Sequence, residues 1–418
     1  MNSLRSFPSG RSWLPLLICA LLLLSAGTAT AAQEVTEDGV LHVKNGDTPR
    51  DGVQDMELEE LWRIGGEDDE DVLLGIISRV LIAPDGDIYL LDGQLSQAQV
   101  FSPEGEFIRT LGRQGDGPGE ITRPGDMLFM PDGTLGLVQI FPGKIVKLNL
   151  DGTPAGEFKP DLGDASAGGF LALINCRSAG GNLVLGGIQI SMDTATMVQT
   201  RNFFLRSYDL QGQQVASYIE KPVTWTFDKN FKFKELDSDF IWWRTDVAPD
   251  GKVIACIPRY RYALSVFNPD GTLDRVIDRE YEPWTRNDLV RNRYKSIMEA
   301  QAGQFPPGTP LEIEDREQDV EDLRVAPDGT IWVLPSRQMF EPEPGYFAVY
   351  DQFSPAGEFT RQVRVKCEGD PSTDRLIFAG DRVFLITGFW DAVLSASSAS
   401  TDEDEDAEPM SVICYRIK

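Results

Sequence analysis

From Ile76 onward the apolar residues come in short bursts with turn formers between them. Ile76–Ile82 is followed by Pro84-Asp85-Gly86, where proline presets φ and glycine accepts a positive one. Ile88–Leu91 and Gln99–Phe101 are two further runs. Pro103-Glu104-Gly105 then turns the chain into Phe107–Leu111, which alternates large apolar with polar residues. Four short runs joined by tight turns predict one antiparallel meander.

The unit recurs. Its first turn returns as Pro131-Asp132-Gly133, Pro249-Asp250-Gly251 and Pro327-Asp328-Gly329, and more weakly as Ala179-Gly180-Gly181 and Ala379-Gly380-Asp381. Its second turn returns as Asp151-Gly152, Gln211-Gly212, Pro269-Asp270-Gly271 and Pro355-Ala356-Gly357. Six first turns of a four-stranded repeat predict an all-β, six-bladed propeller. The blades fall near 75–113, 124–158, 168–222, 240–281, 320–367 and 374–418. Only the last lacks a second turn. Leu58–Gly66 resembles Glu106–Arg113, so residues 57–64 are expected to supply its outer strand and close the ring. Closure removes exposed sheet edges. The predicted organisation is a signal peptide at 1–31, a linker at 32–56 and the propeller at 57–418.

The pattern resembles the NHL-type six-bladed propellers, in particular secreted bacterial members with a GxxGxGPGE blade link, here Gly112–Glu120. Asp92 matches the Asp that such blades carry between their second and third strands. Leu95 and Gln97 stand where Asn and Arg would be expected. The resemblance implies the fold and leaves function open. The glycines of Gly112–Glu120 do not follow the phosphate-loop spacing, and the stretch reads as a tight blade link.

Extra sequence is not spread evenly. It falls at 191–200, 223–239, 282–319, 337–345 and 388–410. In a four-stranded meander these links all lie at one end, called here the top face. Loops on a rigid scaffold carry function, so this face is the expected working side. The 282–319 insertion predicts a helix at about 285–302, capped by Thr285 with Asp288 three residues on. Leu289, Val290, Tyr294, Ile297 and Met298 form its apolar face, and Arg286, Arg291, Arg293 and Lys295 its basic one. That basic face either guides an anionic ligand or docks on acidic loops of the same chain.

Arg5 and Arg11, the apolar run Trp13–Leu24 and Ala29-Thr30-Ala31 read as a Sec-type leader, too short for a membrane span. The expected destination is the periplasm or the exterior. The formal net charge of −27 argues against nucleic acid and anionic membrane surfaces as partners. The closed ring is expected to be a monomer, with a small polar ligand or a protein as partner. Outside the leader there are four cysteines, and the oxidising compartment permits a Cys367–Cys414 bridge. The one histidine, His42, precedes the first blade, so a His base or a Ser-His-Asp triad is unsupported.

Aligning the inner strands on their turn glycines gives the candidate site. Arg79, Asp126, Arg244 and Asp322 share one offset, and Asp246 and Arg324 stand two residues on, pointing the same way. Asp374 is a looser candidate from the sixth blade. A ring of these residues at the tunnel mouth binds a polar ligand or a calcium ion, or its members pair with one another. Trp242 and Trp243 open blade four beside it. Two acidic runs, Glu67–Asp71 and Asp402–Glu408, leave blade six on the top face, either solvated or holding a cation. The leading reading is a secreted or periplasmic binding and scaffold protein. The alternatives are a carboxylate- and calcium-dependent hydrolase of lactonase type and a purely structural surface module.

Overall fold

The structure is a computed structural model that describes residues 32–66, 72–162, 169–397 and 409–418. Six antiparallel sheets, each starting from one strand of an inner ring, make a six-bladed propeller. The inner strands are Ile77–Ile82, Pro124–Phe129, Gly169–Ala179, Thr245–Val247, Val320–Val325 and Arg375–Ala379. They pack side by side from blade six through blades one to five. Each adjoining pair of blades shares its own apolar core. Leu90 and Phe384 meet between blades one and six, Leu91 and Leu137 between one and two, and Tyr350 and Leu385 between five and six. The fold is thus six cores in a circle, and burial of apolar surface between flat sheets drives its assembly.

The repeated first turn explains its own sequence. Gly86, Gly133, Gly251 and Gly329 all adopt φ between 83° and 96°, which an L side chain resists. The preceding Asp carboxylate accepts the N–H two residues on, as Asp85 does from Asp87 and Asp328 from Thr330 at 2.9 Å.

Residues 32–56, expected to be a linker, are instead strands. Gln33–Glu37 and Val40–Asn45 form a hairpin whose second strand runs parallel to the outer strand of blade four, with His42 opposite Val276. Val53–Met56 runs parallel to the outer strand of blade five, with Val363 opposite Gln54. Leu58–Gly65 then pairs antiparallel with Ser411–Ile417 as the fourth strand of blade six, with Trp62 opposite Cys414. The physical reason is that an outer blade edge leaves unpaired N–H and C=O groups that an extended segment can satisfy. Asn45 fixes the arm: its Nδ2 donates to the Gly357 carbonyl at 2.9 Å and its Oδ1 accepts from the Phe359 N–H at 2.8 Å.

Blade three departs from its siblings by length. Its strands run to Asn182–Asp193 and Val198–Tyr208, so the expected 191–200 insertion is a continuation of the hairpin. The four cysteines of the described chain are unbridged, Cys367 and Cys414 included. The acidic runs at 67–71 and 402–408 lie outside the described residues.

Candidate functional site

The tunnel opens at the top face into a cavity of about 390 Å³. Every wall comes from a top-end position. Ile76 and Ser78 begin blade one's inner strand, Gly125 and Asp126 blade two's, and Glu321 and Asp322 blade five's. Trp242 and Trp243 lie in the bend before blade four's inner strand. A short helix, Ser336–Phe340, contributes Met339, and a second, Phe389–Ser397, lays Phe389, Trp390 and Val393 over the mouth. Met339 of the 337–345 link and the described start of the 388–410 link, Phe389–Ser397, therefore build the rim. Most of the lining is apolar, which is how small-molecule sites are made, with a few convergent polar groups to orient the ligand.

Those polar groups descend from the inner strands. Asp126 is fully engaged: it accepts from Arg177 at 2.6 Å, from Cys176 N–H at 3.0 Å and from Met127 N–H at 2.9 Å. Burial works to raise its carboxyl, and the guanidinia of Arg177 and Arg79 outweigh burial and hold it below the usual range. Arg177 also donates to Asp246 at 3.1 Å, and the other Asp246 oxygen accepts Val325 N–H at 2.8 Å. Asp126 and Asp246 thus each tie their own blade to the next. Arg79 stands 3.5 Å from Asp126.

Asp322 and Arg375 are different. Both line the cavity, and neither makes a hydrogen bond or an ion pair in the described structure. Burial raises the Asp322 carboxyl, with Arg375 and Arg324 only partly offsetting it. Burial lowers the Arg375 guanidinium, which Asp322 only partly restores. Arg375 rests instead over the Trp243 ring at 4.2 Å and the Phe389 ring at 5.0 Å. Glu321 accepts from Ser336 and Gln318, each at 2.8 Å, and burial beside Glu317 pushes its carboxyl up to about 8.

The ring expected from the alignment is therefore assembled in part. Arg79, Asp126, Asp246 and Asp322 meet around the tunnel. Arg324 sits between aromatic rings of blades five and six, 4.3 Å over Trp332 and 3.9 Å over Phe378. Arg244 does not join: it is 2% exposed and donates to Asp239 at 3.0 Å and to the Phe240 carbonyl. The reason is that blade four's inner strand begins only at Thr245, so Arg244 belongs to the bend before it. Asp374 spends its oxygens on Asp370 N–H, Thr373 Oγ1 and Gly388 N–H. Arg177 and Arg375 went unseen in the alignment because their blades carry the weaker turns.

Other motifs resolve structurally. Asp92 is buried and accepts four backbone N–H groups, from Gly75, Ile76, Gln94 and Leu95, joining the start of blade one to its second-to-third link. In the Gly112–Glu120 loop, the Glu120 carboxylate turns inward to Gly117 N–H at 2.8 Å and Arg113 at 2.8 Å. A Cβ on Gly115 would lie 2.1 Å from Glu120 Oε2, so the loop is shaped around its own carboxylate.

The insertion helix runs Asp288–Ala302 and ends at Gly303. Asn287, not Thr285, caps it, its side chain accepting from Val290 N–H at 3.0 Å. Thr285 pairs with Arg316 instead. Its basic residues turn to the chain itself. Arg286 makes a fork to Glu317 at 2.7 and 2.9 Å and another to Glu235 at 2.7 and 2.8 Å. Arg259 closes the cluster through Glu235, Glu317 and Asp239. Arg291 meets Asp315 at 3.1 Å, and Arg293 bonds the Ser372 carbonyl and lies 5.1 Å from the Trp390 ring of the roof helix, Phe389–Ser397.

No group of three or more His, Cys, Asp or Glu side chains among the described residues is placed to hold a metal ion. At the tunnel, where a calcium ion is one of the alternatives, the Arg177 guanidinium lies between Asp126 and Asp246.

A family model described as "6-bladed beta-propeller" (DUF5128) matches residues 52–243. A solved member of the duf4221 family from Bacteroides vulgatus aligns at 11% identity with a TM-score of 0.51, over 87% of this chain and 99% of that one. A putative exported protein from Bacteroides fragilis aligns at 12% identity with a TM-score of 0.49, over 90% of this chain and 99% of that one. No curated protein matches. No helix among the described residues is long and apolar enough to cross a membrane. Sheets, family model and the B. vulgatus structure agree, and the chain is a six-bladed β-propeller.

Proposed function

We propose that this propeller is an exported binding protein that takes a small, mostly apolar molecule into the top-face cavity. One observation carries the reading: about 390 Å³ of aromatic and aliphatic lining sits over charged groups, two of which, Asp322 and Arg375, make no hydrogen bond or ion pair in the described structure. Buried charge is retained at a cost in stability, so unspent charge beneath an apolar funnel favours a ligand over a structural role. The Sec-type leader at residues 1–31 supports delivery to the periplasm or the exterior. Pairing of residues 57–64 with the last strand supports a ring that stays sealed in solution, and the blade-link motif supports an NHL-type ancestry.

The test is titration with the neutral dye Nile red, followed by its emission. Saturable binding is expected, and Val393→Trp, which fills the mouth from the roof helix, should abolish it. Dye that does not bind, or binds equally to V393W, overturns the reading.

A second reading, a carboxylate-dependent hydrolase of lactonase type, draws on Asp322 beside the proton-holding Glu321 in one cavity. It requires lactone turnover that Asp322→Asn removes, together with a melting temperature that rises with calcium.

A further inference from the structure

The cavity holds four carboxyl groups, and three are spent. Asp126 is bonded to Arg177, Asp374 is surrounded by N–H and hydroxyl donors, and Glu321 is held by Ser336 and Gln318. Asp322 alone has no donor. The arginines divide in the same way. Arg177 bonds two carboxylates, and Arg324 is enclosed by Trp332 and Phe378. Arg375 has aromatic faces but no acceptor, and Arg79, on the adjoining inner strand, faces Asp126 at 3.5 Å through a buried Nε that makes no hydrogen bond. Ser78 Oγ, on the cavity wall, is likewise buried and unpartnered.

Asp322 and Arg375 are opposite in sign and share one wall of the cavity, yet no ion pair joins them. A ligand with one charge would satisfy one and leave the other stranded in an apolar site. A ligand carrying both charges satisfies both. We infer that the cavity selects a zwitterion with a large apolar or aromatic body, its ammonium on Asp322 and its carboxylate on Arg375, with Arg79 and Ser78 nearby. Trp243, whose ring lies 4.2 Å beneath the Arg375 guanidinium, would lie beside the bound carboxylate, and Trp242, Trp390 and Ile140 would cover the body. This inference rests on the binding reading above and adds the charge pattern of the ligand.

The test compares four probes with one ring system on the folded chain by calorimetry: L-tryptophan, tryptamine, indole-3-propionate and 3-methylindole. L-Tryptophan should bind at least tenfold more tightly than each of the others. Asp322→Asn should weaken L-tryptophan and tryptamine tenfold and leave indole-3-propionate unchanged. Arg375→Gln should weaken L-tryptophan and indole-3-propionate and leave tryptamine unchanged. If R375Q does not fold, Arg375→Lys, which keeps the charge but loses the two-pronged donor, should show the same selective loss. Equal affinities for all four probes, or preference for either singly charged one, overturn the inference while the Nile red result keeps the cavity reading. Failure of all four probes also overturns it, and if Nile red fails as well, the cavity reading falls with it.

Discussion

Two groups of buried charge sit on the top half of this molecule and are built on opposite plans. Beneath the insertion helix, Arg286, Arg259, Glu235 and Glu317 leave almost nothing unused: Glu317 and the Arg286 side chain are fully shielded, and their oxygens and nitrogens face each other in double forks. At the tunnel mouth, Asp126, Arg177 and Asp246 are joined, but Asp322 and Arg375 make no hydrogen bond or ion pair in the described structure. The first group clasps three loops, residues 235–244, 256–261 and 284–319, to one another. The second is half a clasp and half an open hand. Completeness of pairing, more than the count of charges, separates a structural cluster from a candidate site, because unpaired buried charge persists only where something repays its desolvation.

That contrast can be broken most forcefully at Glu317. Glu317→Ala leaves the buried Arg286 and Arg259 guanidinia with Glu235 as their one shared carboxylate, and should lower unfolding free energy by roughly 3–5 kcal/mol in chemical denaturation. Asp126→Asn removes the charge that Arg177 and two backbone N–H groups share, and should cost about 1–3 kcal/mol. A loss for D126N no larger than for Asp322→Asn would erase the distinction drawn here. Asp322→Asn itself, measured without ligand, should hold or raise the melting temperature, since it deletes a carboxylate whose burial Arg375 and Arg324 offset only in part.

Acidity sharpens the same comparison. Glu321 and Asp322 both have folded-state affinities for protons above their unfolded ones. The folded chain therefore binds more protons, and the Glu321 contribution to stability is full below about pH 4 and is lost as pH rises toward about 8, with Asp322 adding a shift of the same sign. Glu321→Gln should flatten the decline in melting temperature between pH 5 and pH 8. A steeper decline in E321Q would refute the assignment. Smallest of all, Lys295→Ala at the exposed Lys295–Glu299 pair should change stability by at most about 0.5 kcal/mol.

Blade count and the top-face crowding of links were legible because each blade announces itself with a local signal, a glycine at positive φ after Pro-Asp. Where that signal weakens, the reading weakens with it. Blade three ends its inner hairpin on Ala179-Gly180-Gly181 with Ala179 opposite Asn182, a shorter turn than the one that sets Ile82 opposite Ile88 in blade one, and this moves Arg177 off the common offset. Arg375 precedes the similarly weak Ala379-Gly380-Asp381 turn. Arg244 kept the offset but lost its strand, since Trp242–Arg244 bend instead of extending. The roof helix was hidden in a stretch read as an acidic loop, although Phe389, Trp390 and Val393 carry helical spacing. The arm at 33–56 is the deepest miss. Its alternation is plain in Val40–Val43, but its partners lie on Leu273–Arg279 and Phe359–Val365, and no local pattern specifies such a distant edge.

That arm makes the propeller a cask hooped with its own leading end. The strands of residues 33–65 pair with blades four, five and six, whose own strands come about 200 to 350 residues later, so this outer layer forms only after those blades are made. A nick in any loop of the trailing half would therefore leave fragments gripped by the hoop, and loosening would begin where His42 meets Asp278 or where Asn45 meets Gly357 and Phe359.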